Sequence, residues 1–481
     1  MRRLVMTFGV MVLGLLAGVA SARPDAAGVP ARHDMTGPAT PIDRPLVDRG
    51  AYVARLGGCA ACHTALHGRA YAGGLEIRTP IGAIYSPNIT PDPRHGIGRY
   101  SFADFDRAVR RGVRRDGASL YPAMPYPAFA RMTQEDMRAL YAYFIHGVRP
   151  VSQANRPVEI AWPLSMRWPL AVWRALFAPA PAAFVPAPGE DPVVARGEYL
   201  VTGPGHCGAC HTPRGFAMQE VALDARGGAA YLSGGAPIDN WVAPSLRSDP
   251  VLGLGRWSEE DLYYFLKSGR TDHAAIFGGM ADVLAWSTRY FTDGDLRAIA
   301  RYLKHLPAVP PARGDYVYDP STAEMLDEGK IAGVAGAEIY LRECAVCHSV
   351  DGAGIPRLFP PLAGNPVVVT DDPTSVVNVV TNGGVLPPTD RAPSAVAMPA
   401  YGATLSPQQI ADVVNFIRTG WGNDAPANVS PAEVVRLRDG GKPISPGWNE
   451  SGGGWLILLP QRYGAGWTFA PRTHAGIDDA Q

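Results

Sequence analysis

The chain has 481 residues, 47% of them apolar and 18% charged, which is enough for about three ordinary globular domains. Lysine plus arginine equals aspartate plus glutamate at 44 each, so neither a basic nucleic-acid-binding surface nor an acidic disordered tail is indicated. Glycine (54) and proline (46) are both abundant, which favours loops and short helices over long regular elements.

In chain order, the first element is a leader, "MRRLVMTFGVMVLGLLAGVASA". Arg2 and Arg3 form a positive start, Leu4 to Val19 is almost wholly apolar, and Ala20-Ser21-Ala22 supplies small residues for cleavage. That order predicts a secretory signal over residues 1–22. The competing reading is an uncleaved anchor, because the apolar run is only marginally short of the ~20 residues that span a bilayer. Either way the chain is expected to be exported.

All six cysteines then fall in three copies of Cys-x-x-Cys-His: "CAACH" at 59–63, "CGACH" at 207–211 and "CAVCH" at 344–348. A disulfide inside Cys-x-x-Cys closes a tiny loop and restricts the unfolded chain little. Three pairs do not divide into four-ligand zinc sites. Neither reading explains a histidine after every pair. Covalent haem attachment explains both features. Two thiols add to the porphyrin vinyl groups, and the adjacent imidazole reaches the iron. The expectation is three haem c groups, carried by Cys59 and Cys62, Cys207 and Cys210, and Cys344 and Cys347. The proximal ligands are then His63, His211 and His348.

Downstream of each signature a methionine is the natural second iron ligand, since Met/His ligation raises the potential. Met124 in "LYPAMPYPAF", Met280 in "FGGMADVLAWST" and Met398 in "AVAMPAYGATL" lie 61, 69 and 50 residues past their histidines. Each is expected in an irregular segment before a capped helix. Those helices open at Thr133, Thr292 and Ser406, with Asp136, Asp295 or Gln409 three residues on. A shorter helix with an aromatic residue (Tyr52, Tyr199 or Tyr340) precedes each signature and is expected to cross the closing helix at small residues. "GIGRYSFADFDRAVRRG" at 96–112 also matches "GLGRWSEEDLYYFLKSG" at 253–269, and the loops "YSPNIT", "VAPSLR" and "LFPPLAGNP" hold corresponding places. The predicted architecture is all-α: three tandem class I cytochrome c-type domains at 45–150, 193–307 and 330–424. Pro-rich linkers join them at 151–192 and 308–329, and a tail follows at 425–481. Trp162, Trp168 and Trp173 in the first linker read either as a strap over neighbouring domains or as a membrane or partner contact. The tail's six-residue apolar core is too short to span.

"YSPNITPD", "LYPAMPYP", "RWPL" and "MPAYGATLSPQQIADVVNFIRTGWGN", together with the three signatures, resemble the triheme cytochrome c subunit of membrane-bound bacterial dehydrogenases, over about 45–424. The resemblance implies a quinoprotein alcohol dehydrogenase or a flavin-dependent gluconate, sorbitol or fructose dehydrogenase as catalytic partner. It implies ubiquinone as electron acceptor, and a place on the periplasmic face of the inner membrane, peripherally attached. Axial pairs His63/Met124, His211/Met280 and His348/Met398 carry over. The chain is then a wire rather than a catalyst alone. Competing readings are a haem peroxidase or oxidase with one open iron, for which "GGMADV" is the weakest ligand context, and a soluble shuttle. A third keeps the wire but serves a molybdenum-type aldehyde or N-heterocycle dehydrogenase.

Overall fold

The computed structural model describes residues 43–307 and 314–440; the leader, residues 308–313 of the second linker and residues 441–481 of the tail lie outside the described residues. The first stretch contains α1 (Arg44–Leu56), α2 (Cys59–His63), the hairpin β1 (Glu76–Thr79) and β2 (Gly82–Tyr85), α3 (Phe102–Arg111), α4 (Tyr126–Phe129) and α5 (Gln134–Ala142). After it come β3 (Glu159–Ile160) and α6 (Trp168–Phe177). The second stretch runs α7 (Pro192–Thr202), α8 (Gly208–His211), α9 (Glu259–Ser268), α10 (Gly279–Trp286) and α11 (Asp293–His305). The third holds α12 (Ser321–Asp327), α13 (Ala337–Ile339), α14 (Ala345–His348), α15 (Pro366–Val369) and α16 (Thr374–Asn382). It ends with β4 (Gly384–Leu386), β5 (Val396–Met398), α17 (Pro407–Thr419) and α18 (Pro431–Gly440).

Helices dominate, and the all-α expectation needs one amendment. Among the described residues there are two small antiparallel sheets, one ordered β1-β2-β3 and one pairing β4 with β5. The third strand of the first sheet comes from 151–192, where Ile160 pairs with Gly82. That segment, expected as a linker, therefore docks on the first stretch instead of hanging free.

Each signature sits beside its own apolar core. Val53, Phe105, Phe129, Met137, Leu140 and Phe144 form the first. Tyr199, Leu200, Trp257, Leu262, Leu296 and Ile299 belong to the second. Tyr340, Val377, Val414, Phe416 and Trp421 belong to the third. In each core the helix before the signature meets the closing helix at a glycine. A Cβ on Gly50 would lie 1.9 Å from the Ala139 carbonyl oxygen, one on Gly197 2.0 Å from that of Ala298, and one on Gly336 2.4 Å from that of Asp412. Only the missing side chain lets the two backbones approach this closely.

The closing helices α5, α11 and α17 start where expected. Thr133 accepts from Asp136 N, Thr292 from Asp295 N and Ser406 from Gln409 N. Only Ser406 completes the capping box, with Gln409 reaching back to its N–H at 2.9 Å. Asp136 and Asp295 do not reach back, because both carboxylates are engaged across the molecule. Tyr199 donates to Asp136 at 2.5 Å and Tyr52 donates to Asp295 at 2.7 Å. The same hydroxyls accept from the cap N–H groups of Thr133 at 3.5 Å and Thr292 at 3.0 Å. The first two stretches thus exchange the same contact in both directions, as in an isologous dimer interface.

Candidate haem-binding sites

All three signature helices are built alike. Each histidine places Nδ1 against a proline carbonyl that the following loop brings back. His63 meets Pro87 O at 2.8 Å, His211 meets Pro244 O at 2.8 Å and His348 meets Pro360 O at 2.9 Å. A carbonyl can only accept, so Nδ1 carries the proton and Nε2 keeps its lone pair. Burial also lowers the pKa of all three imidazoles, against the raising effect of the carbonyl contact, and so keeps them neutral. A neutral ring with one nitrogen fixed by a backbone acceptor is the form that ligates metal.

A glycine completes each loop. The N–H of Gly73 donates to His63 O, that of Gly234 to His211 O and that of Gly354 to His348 O, at 2.8, 2.9 and 3.0 Å. These glycines have φ of +72°, +105° and +68°, a region that side-chain-bearing residues rarely adopt. The histidine is therefore tied at its backbone and at its ring by the same returning loop.

All six cysteines are free thiols. Burial pushes Cys59, Cys207 and Cys344 up to about 12 and also raises Cys62, Cys210 and Cys347. Cys62 and Cys210 are nonetheless exposed by area. An exposed thiol is open to a bulky reactant. At the third signature the spacer residue Val346 is 78% exposed, so that edge faces outward.

The methionines are half-buried. Met124 packs on the first core, as does Cys59, and Met398 packs on the third core, as does Cys344. Two of the three do not lie in irregular segments: Met398 ends strand β5, paired with Gly384, and Met280 lies in helix α10. Met280 also packs with Ile276, Leu284 and Leu386 in a separate apolar cluster. That cluster joins the second stretch to the β4–β5 sheet of the third. The same helix carries Asp282, whose charge adds to burial and the neighbouring Cys210 in raising the Cys62 thiol.

Buried donors without partners also fit a porphyrin. Arg247, 2% exposed, gives Nη2 to Pro307 O at 2.7 Å, while its Nε and Nη1 find no partner among the described residues. It lies three residues past Pro244, on the loop that fixes His211. Two idle buried donors cost energy unless a carboxylate such as a haem propionate receives them.

The cytochrome c family model matches residues 47–146 and 333–421. The chain is 66% identical over 481 residues to the alcohol dehydrogenase (quinone) cytochrome c subunit of Gluconacetobacter polyoxogenes, covering 100% of this chain and 99% of the relative. The gluconate 2-dehydrogenase cytochrome c subunit of Pantoea cypripedii is 54% identical, over 82% of this chain and 89% of its own. The fructose dehydrogenase cytochrome subunit of Gluconobacter japonicus is 37% identical, over 90% and 91%. This chain belongs to the family of dehydrogenase cytochrome c subunits. Membership of that family implies covalent haem c with iron, which the free thiol pairs and neutral imidazoles suit. It also implies a role in electron transfer and not in catalysis by the chain alone.

The signature residues were legible from spelling. The spelling does not disclose the part played by the proline carbonyls, although a proline stands in each of "YSPNIT", "VAPSLR" and "LFPPLAGNP".

Proposed function

We propose that this chain carries three covalent haem c groups and passes electrons from a partner dehydrogenase to membrane ubiquinone. The partner is a quinoprotein or flavoprotein acting on an alcohol, polyol or sugar acid. Haem c supplies a one-electron iron centre whose potential His/Met ligation raises. Three cytochrome c-type domains, at 45–150, 193–307 and 330–424, hold these centres. In each, the cysteine pair would hold the porphyrin, and His63, His211 or His348, with Nε2 left free, would be the iron ligand. Met124, Met280 and Met398 would supply the second, thioether ligand of each iron. The carrying observation is the threefold repeat of one device: a histidine locked at Nδ1 by a proline carbonyl, beside two unbridged thiols.

The chain acts after export, on the periplasmic face of the inner membrane. No helix among the described residues is long and apolar enough to cross a bilayer. Helix α6 offers a peripheral contact. Arg174 and the preceding Arg167 turn inward: Arg167 donates to Ser119 O at 3.0 Å and Arg174 to Ser119 Oγ at 2.8 Å. Trp168, Val172 and Leu176, at spacings of four, face outward at 66%, 51% and 69% exposure. An apolar stripe with tryptophan outward suits the headgroup boundary.

Mass spectrometry of the purified mature protein tests the proposal directly. Three porphyrin additions mapping to the three Cys-x-x-Cys-His peptides are expected. Fewer than three additions overturns the triheme reading. Rapid carbon monoxide binding to one reduced haem points instead to an open-site enzyme.

A further inference from the structure

One acidic side chain beside the second signature has no part in anything described so far. Glu220 follows α8 on the returning loop, and its Oε2 lies so close to Gly208 that a Cβ there would come within 2.6 Å. Gly208 is the first spacer residue of that signature, and both Cys207 and Cys210 feel the carboxylate's charge. Glu220 helps line a cavity of about 10 Å³, with Ala128, Thr202, His206 and Tyr231 among the other walls. That is room for about one water.

The groups facing Glu220 leave its charge poorly compensated. Arg214 is the cation whose field reaches it. That guanidinium is already committed to the backbone carbonyls of Ala209 and Met218. The His206 ring packs on Phe129 at 5.5 Å between centroids, and burial lowers its pKa, so it brings no charge. Tyr231 is kept protonated by burial, and its hydroxyl has no hydrogen-bond partner among the described residues. Burial outweighs Arg214 and pushes Glu220 up to about 7.

We infer that Glu220 is the proton-exchanging partner of the second haem: it takes up one proton from solvent when that site gains one electron from the dehydrogenase, and releases it when the electron leaves. The carboxylate becomes a carboxylic acid, and no other bond changes. The physical basis is reciprocal linkage. An electron gained at a haem held by Cys207 and Cys210 would remove one positive charge at the signature that Glu220 touches, which favours the protonated carboxyl. By the same coupling, protonating Glu220 favours the reduced site. Glu220 is only half-buried, so its carboxylate can exchange a proton with solvent at its own position. This inference rests on the triheme reading above and goes beyond it.

Spectroelectrochemical titration of the intact dehydrogenase–cytochrome complex between pH 5 and 9 tests it. One of three haem components is expected to become harder to reduce as pH rises through about 7. Its slope is bounded by a tenfold change in equilibrium constant per pH unit, about 59 mV for one electron. In Glu220→Gln that component loses its pH dependence while the other two are unmoved, and Glu220→Asp retains a slope. An unchanged slope in Glu220→Gln overturns the inference, and so does a wild-type complex whose potentials are flat with pH. The latter result, with three porphyrins still counted by mass, leaves the electron-relay reading intact. Missing porphyrins remove both.

Discussion

The residues that hold this molecule together are charged groups with more than one task. Asp295 is the clearest. Arg196 grips it with two hydrogen bonds of 2.8 Å, and Tyr52 donates a third from about 240 positions away in the chain. Burial alone would raise its pKa; the hydrogen bonds from Arg196 and Tyr52 outweigh that and hold the carboxyl below its usual range. A depressed carboxylate contributes stability that is fully present above its unfolded value, ~3.9, and is lost as pH falls through the folded value. Denaturant melts from pH 2 to 7 are therefore expected to show Asp295→Asn converging on wild type at the acid end and weaker above pH ~5. Tyr52→Phe and Tyr199→Phe each remove one donor from a buried carboxylate and are each expected to cost about 1–3 kcal/mol. Equal costs for the two variants would bear out the reciprocal arrangement. A cost confined to one of them would show that the exchange is one-sided.

At the scale of elements, the crossings of paired helices set the tolerance for change. The Gly197 position in α7 has no space for a methyl group, because the Ala298 carbonyl would be 2.0 Å away. Carbonyls in a helix do not yield as a flexible side chain does, so Gly197→Ala is expected to force α7 and α11 apart and cost about 3 kcal/mol. Gly294, near the start of α11, is the control, since the nearest atom to its Cβ is 4.0 Å off. Gly294→Ala is expected to stabilise by up to about 1 kcal/mol, through helix propensity and a less disordered unfolded chain. Thermal melts that moved both variants in the same direction would refute the crossing argument. These elements also show what a sequence can and cannot disclose. The tyrosine before each signature and the cap of each closing helix are written locally, and were readable. The loss of two capping boxes was not, because Asp136 and Asp295 are drawn away by residues 63 and 243 positions distant. The helical setting of Met280 is illegible locally for a related reason. "GGMADV" looks like loop, but α10 is held in place by apolar contacts with Leu386 of a different stretch.

For the whole molecule, the decisive fact is which surfaces are spent on internal contacts. The first and second stretches are locked face to face by the Tyr52 and Tyr199 exchange, and Cys62 and Cys210 are neighbours across that boundary. The third joins through Arg270, whose Nη2 donates to Ala392 O and Ser394 O, and through Arg289 to Pro388 O. The 151–192 segment wraps the first stretch and reaches the second, where Trp173 donates to Ala217 O at 2.7 Å. Its strap role and its outward apolar face therefore coexist. Polar and cationic groups of α6 are used inward, and the same helix leaves Trp168, Val172 and Leu176 facing out. Nearby, Phe177 packs edge-on against Phe216, which is itself 93% exposed. Burial of such a stripe in a headgroup layer gains about 25 cal/mol per Å² of apolar area, and the interior contacts need not change for it to happen. The combined variant Trp168→Ser, Val172→Ser and Leu176→Ser is thus expected to shift the protein from the membrane fraction to the salt-wash supernatant. Its haem content and thermal midpoint should stay close to wild type, because none of the three side chains is buried in the fold. Retention on the membrane at wild-type level would place the attachment elsewhere in the chain and return α6 to the part of a strap alone.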